Sequence, residues 1–189
     1  MLVDAVSTRA ARRRDAGGHG SRRGCAVRRP AVGGRKGSVR ITAKVDYAVR
    51  AAAELAAAPA GPVKGEQLAE RQGIPAKFLE NILADLRRAG LVASQRGAEG
   101  GYWLAKAPES VTVADIIRAV EGPLADVHGT PPETVAYSGP AANLQRVWVA
   151  TRAALRSILE EVTLADLVAG TLPAGAERFL AEPDAWSRR

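Results

Sequence analysis

Residues 65–105 restrict the fold of this 189-residue chain more than any other stretch. Glu66–Gln72 has the period of a short helix and stops at Gly73, a residue suited to a left-handed C-terminal cap. After the Ile74-Pro75 turn, Phe78, Leu79, Ile82, Leu83 and Leu86 share one face of a second helix, which ends at Ala89-Gly90. All five are expected in the core. Strand-like runs Leu91–Gln95 and Tyr102–Ala105 follow, bracketing Arg96-Gly97-Ala98-Glu99-Gly100-Gly101. Two short helices about four residues apart, then a glycine-rich hairpin, predict a helix-turn-helix with a wing. Gly97, Gly100 and Gly101 permit positive φ and close backbone approach at its tip. The tip lacks the Lys-Ser/Thr ending and following helix of a nucleotide-binding loop, so that chemistry is excluded.

Upstream, Ile41, Val45, Ala48, Val49, Ala52, Leu55 and Ala56 repeat at helical spacing and predict a helix over about residues 43–58, ended by Pro59 and Gly61-Pro62. Downstream, Thr112-Val113-Ala114-Asp115 reads as a capping box opening a helix with Ile116, Ile117 and Val120, stopped by Gly122-Pro123. A proline-rich loop over residues 123–140 leads to the longest helical pattern, Ala141–Val162. There Leu144, Trp148, Thr151, Leu155, Ile158 and Val162 are spaced four, three, four, three and four, the spacing of a coiled-coil seam. A helix of that length beside a small domain is expected to pair with a second copy. Thr163-Leu164-Ala165-Asp166 caps a last short helix, and residues 173–189 read as a flexible tail.

The expected organisation is therefore mainly α: a disordered basic leader over residues 1–38, a winged helix-turn-helix over 39–106, a sensor loop and dimerisation helices over 107–172, and the tail. Charge follows these divisions. The net charge is +7 and the pI about 10.2, but residues 1–38 alone hold ten basic and two acidic side chains, +8. Residues 39–106 carry +3 and residues 107–189 carry −4. The leader reads either as an arm that clings to phosphates or as sequence upstream of a true start at Val39. The nucleic-acid argument rests on the winged segment instead. Cys25, the single cysteine, excludes a disulfide framework and any internal site built from several thiolates. No apolar run is long enough for a membrane span, and a cytoplasmic protein is expected. No nucleophile–base pair or paired carboxylates suggest an enzyme, and the two histidines fall in the leader and a loop.

Several segments resemble the Rrf2 family of bacterial transcription regulators. They are Arg40–Arg50, Leu68–Ile74, Phe78–Leu83, Arg87–Val92, the wing Ser94–Ala105, Val120–Pro123 and Thr163–Leu167, in the family's order over about residues 39–169. The resemblance implies a homodimeric, sequence-specific regulator of double-stranded DNA, in the first instance a repressor. It places base reading at Lys77, Glu80 and Asn81. Asparagine can pair with adenine and glutamate can accept from cytosine. Arg96 suits a narrow minor groove, and Arg40, Lys44 and Lys64 suit phosphates. Glu99 is expected to turn away from them.

The chain departs from many relatives in the 123–140 loop. They carry three cysteines there for an iron–sulfur cluster; this loop has none. Asp126, His128 and Glu133 are scattered donors, and Asp46 matches a position from which some relatives lend a ligand across the dimer. No metal or cofactor is expected on this basis. Control would fall to a small-molecule or protein effector, or to abundance alone. The alternative reading is a winged-helix protein-interaction module that has lost DNA binding. An acidic or apolar reading face would mark it, and Lys77 and Asn81 beside Arg87 and Arg88 argue against it.

Overall fold

The computed structural model describes residues 41–58 and 61–187. The leader and Arg40 lie outside the described residues. Thr42 starts the first helix, α1 (Ala43–Ala57), by accepting the Val45 N–H on its hydroxyl at 3.2 Å. Buried Val45, Ala48, Ala51, Ala52 and Leu55 line its inner side. Three alanines there let neighbouring helices approach closely, and α1 becomes the post against which α2 (Gly65–Gln72), α3 (Ala76–Arg88) and α4 (Val113–Glu121) pack. Ile41, grouped with this helix by its spacing, precedes the cap and is 83% exposed.

Gly73 takes φ 61°, as its place after α2 requires, and buried Ile74 turns the chain into α3. Strands β1 (Val92–Gln95) and β2 (Gly101–Leu104) pair antiparallel, with Val92 opposite Leu104 and Gln95 opposite Gly101. Val63, between α1 and α2, adds a rung on the other side of β2, exchanging both backbone hydrogen bonds with Tyr102 at 2.8 Å. The mainly α winged helix is the fold observed.

Both capping boxes form. Thr112 and Asp115 cap α4, and Thr163 and Asp166 cap α6 (Leu164–Ala169). The two starts lie side by side, with Val113 N–H on Val162 O and Leu164 N–H on Val111 O, each at 2.9 Å. Leu68, Leu79, Ile82, Leu86, Val111, Ile116 and Leu164 belong to one buried cluster, so the segment after residue 106 shares the core of the winged helix.

Four expectations need correction. Phe78 is 40% exposed, set edge-on against Tyr47 with ring centroids 5.7 Å apart. The buried arc of α3 centres on Leu79, Ile82, Leu83 and Leu86, and Phe78 stands at its margin. The long helix, α5, spans only Leu144–Leu159, after a 3-10 turn at Gly139–Ala141. Val162 lies beyond it, buried in its own core while its carbonyl receives α4, and so leaves the predicted seam. The tail contains a further helix, α7 (Ala174–Leu180), which packs on α5 and buries Ala176.

Candidate nucleic-acid interface

The outer side of α3 carries Lys77, Glu80 and Asn81, all exposed on its first turns. Core residues Leu79, Ile82 and Leu83 fix the helix so that the intervening positions must face outward. Lys77 Nζ lies 2.8 Å from a Glu80 carboxylate oxygen, and the Glu80 hydrogen bond holds the ammonium above its ordinary pKa. This pairing offsets the negative charge that Glu80 would present to phosphates while leaving its remaining lone pairs as acceptors. Asn81 has no side-chain partner among the described residues, so its amide is available.

Lys64 and Glu80 line one groove with Gln95, Gly97 and Tyr102, of about 410 Å³ between α2, α3 and the wing. Arg96, exposed where β1 ends, has no ion-pair or hydrogen-bond partner among the described residues. Exposed Glu99 stands at the tip. The three glycines act differently. Gly97 takes φ 112°; a Cβ on Gly100 would stand 2.3 Å from Gln95 O, and one on Gly101 2.6 Å from Val63 O. Arg87 Nη1 donates to Ser94 Oγ at 3.2 Å, joining the end of α3 to the wing.

Lys44 does not face this groove. Its ammonium sits 2.7 Å from Asp85 of α3 and donates to Val120 O of α4 at 2.6 Å, an engagement within the protomer that competes with the expected phosphate contact. Gln95 and Tyr102 were missed by the sequence reading. Tyr102 rests over Gly65, 3.4 Å from where a Cβ would stand, and the glycine opening α2 was its one local signal.

The 123–140 loop is held by protein contacts. Pro132 is fully buried, Arg152 pairs with Glu133 at 2.7 Å, Gln145 Nε2 donates to Glu133 O at 2.8 Å, and Trp148 Nε1 donates to the Tyr137 hydroxyl at 3.1 Å. A backbone hydrogen bond and Arg152 hold the Glu133 carboxyl below its usual range. Asp126 accepts the Gly129 N–H at 3.1 Å, and Asp46 pairs with Arg50 at 3.1 Å. Among the described residues, no three His, Cys, Asp or Glu side chains gather as metal ligands. With no thiolate in the loop, an iron–sulfur cluster does not fit this donor set. No described helix is long and apolar enough to cross a membrane.

Residues 41–170 match the model of the Rrf2 family, described as an iron-dependent transcriptional regulator. The chain is similar to Rv1287 of Mycobacterium tuberculosis, an HTH-type transcriptional regulator by name, at 49% identity over 71% of this chain and 84% of the relative. Among solved structures it is similar to CymR, the global cysteine regulator of B. subtilis, with a TM-score of 0.60 and 35% identity over 71% of this chain and 99% of that one. The IscR of T. potens aligns with a TM-score of 0.57 at 35% identity, over 70% of this chain and 88% of that one.

Proposed function

Starting from the premise that the chain belongs to the Rrf2 family and is a DNA-binding transcription regulator, we propose that it is a homodimeric repressor, reading its operator with Glu80 and Asn81 and steadying itself with Arg96 and Lys64. The carrying observation is the exposed first turns of α3, which present the Lys77–Glu80 pair and a free Asn81, with Glu80 lining the groove shared with the wing. Such a face offers directional acceptors and donors to base edges in a major groove. Arg40 is proposed for phosphate contact on the resemblance alone. It acts in the cytoplasm as a binding protein, without an enzymatic reaction.

Asn81→Ala and Glu80→Ala are expected to weaken binding to a selected operator by about 1–3 kcal/mol each and to relax preference at one base position. Arg96→Ala weakens it similarly. Lys64→Ala weakens all duplexes alike and lowers the salt slope by about one. Fluorescence anisotropy across a salt series measures these quantities. Unchanged operator binding by Glu80, Asn81 and Arg96 variants together would refute this reading face and favour the protein-interaction module.

We further propose that operator binding is independent of iron, because the loop lacks thiolates and is held by Arg152, Gln145 and Trp148. Anaerobically purified protein should lack iron–sulfur absorption and bind the operator equally with and without an iron chelator. Visible cluster absorption, or binding lost on chelation, contradicts it.

A further inference from the structure

We propose that Lys44 and Asp85 form a positioning strut that sets the recognition helix against α4 and so governs base discrimination without touching DNA. The proposal rests on α3 being the reading helix. Lys44 projects from the first turn of α1 and meets two elements at once, the Asp85 carboxylate of α3 at 2.7 Å and the Val120 carbonyl of α4 at 2.6 Å. Its side chain is 32% exposed and that of Asp85 18%, so solvent screens this pair less than a surface bridge.

Each contact suits its place. Val120 O belongs to the last turn of α4, where carbonyls lack intrahelical partners and the helix dipole favours a cation. Glu121, next in sequence, takes the hydroxyl of Thr42, the residue capping α1. The end of α4 is thereby tied twice to the start of α1. Asp85 also accepts from Arg88 at 2.8 Å, and Lys44 is the main cause that its carboxyl lies below the ordinary range.

Asp85 follows Asn81 by four residues, about one helical turn. A shift of α3 at the strut therefore carries Asn81 with it. Hydrogen bonds to base edges weaken steeply with misalignment, whereas contacts to phosphates are less directional. The strut should matter for telling sequences apart and hardly at all for holding onto DNA in general. Gly122 ends α4 and opens the 123–140 loop, so the strut also joins the base of that loop to the reading helix.

The test compares full-length wild type, Lys44→Met, Asp85→Asn and Lys44→Arg on a selected operator and on a shuffled duplex, across a salt series. Asp85→Asn keeps the side-chain volume and leaves Lys44 on Val120 O, so it remains informative if Lys44→Met fails to fold by circular dichroism. Lys44→Met and Asp85→Asn are each expected to lose roughly tenfold on the operator, the scale of one lost base contact. Binding to the shuffled duplex and the salt slope should not change, and Lys44→Arg should restore discrimination. A phosphate-contacting Lys44 gives the opposite pattern: both duplexes weakened alike and the slope lowered by about one. That pattern, or full discrimination by Lys44→Met and Asp85→Asn, overturns the strut. Failure of the wild type itself to discriminate overturns the reading helix instead.

Discussion

Gly101→Ala is expected to leave a helical chain that no longer binds its operator. The added Cβ would stand 2.6 Å from the Val63 carbonyl oxygen and 2.8 Å from its carbon, backbone atoms with nowhere to yield. Those atoms belong to the rung in which Val63 and Tyr102 exchange hydrogen bonds at 2.8 Å. Relief of the clash must break that rung and free β2 from the α1–α2 connection. The core helices do not depend on it, since α1, α3, α4 and α6 pack through separate contacts. Local destabilisation of about 1–3 kcal/mol is the scale of such steric changes. The displaced wing takes Arg96 with it in both halves of a dimer, so operator affinity should fall by roughly 100-fold. Near-normal far-ultraviolet circular dichroism with lost anisotropy binding is the expected outcome. Glu99→Ala, at the exposed tip, should bind at least as well as wild type.

Val147→Glu is the second large effect. The sixteen residues of α5 include none that is buried, a condition a helix this long rarely maintains without a partner. Val147 is 51% exposed, and exposed Ala150, Thr151 and Ala154 continue its stripe at three- and four-residue spacing. Leu144 and Leu155, by contrast, are half-buried by their own chain, and Trp148 is engaged with Tyr137. We propose that the stripe offered to a second copy keeps Thr151 of the Leu144–Trp148–Thr151–Leu155–Ile158 seam suggested by spacing and is shifted from it toward Val147 and Ala154. A glutamate at Val147 is a good helix former on an open face and leaves the protomer folded. A buried unpaired carboxylate between two copies is strongly unfavourable. Light scattering should report a monomer, with operator affinity lower by roughly 100-fold or more because the two half-sites are no longer linked. A dimer of wild-type affinity would show that α5 pairs elsewhere.

Local signals in the sequence were read correctly where the physics is local. Gly73, the Thr112–Asp115 and Thr163–Asp166 boxes and the hairpin all depend on residues within a few positions of one another. The misreadings involve distant partners. Nothing near Lys44 signals that Asp85 and Val120 wait for its ammonium. Val162 continues the period of α5 perfectly well, and its burial follows from the strand-like contact with Val113. Phe78 has the hydrophobicity of a core residue but sits one step outside an arc already filled by leucines and isoleucine. The α7 segment is different, because Pro173 followed by Ala174–Leu180 is an adequate local helix signal, with proline just ahead of the first turn. The wing glycines were singled out for positive φ and close backbone approach, and the two reasons divide among them: Gly97 takes the positive φ, Gly100 and Gly101 the close approach.

Selection of bound fragments from sheared genomic DNA of the source organism, followed by footprinting of the enriched sequence, tests the central claim most directly. Two chains should protect a twofold-symmetric site with half-sites about one helical turn apart or a multiple of it. Replacing Asn81 or Glu80 should then relax preference at matching positions in both halves. No enriched sequence, or protection of a single asymmetric site by one chain, would contradict the account.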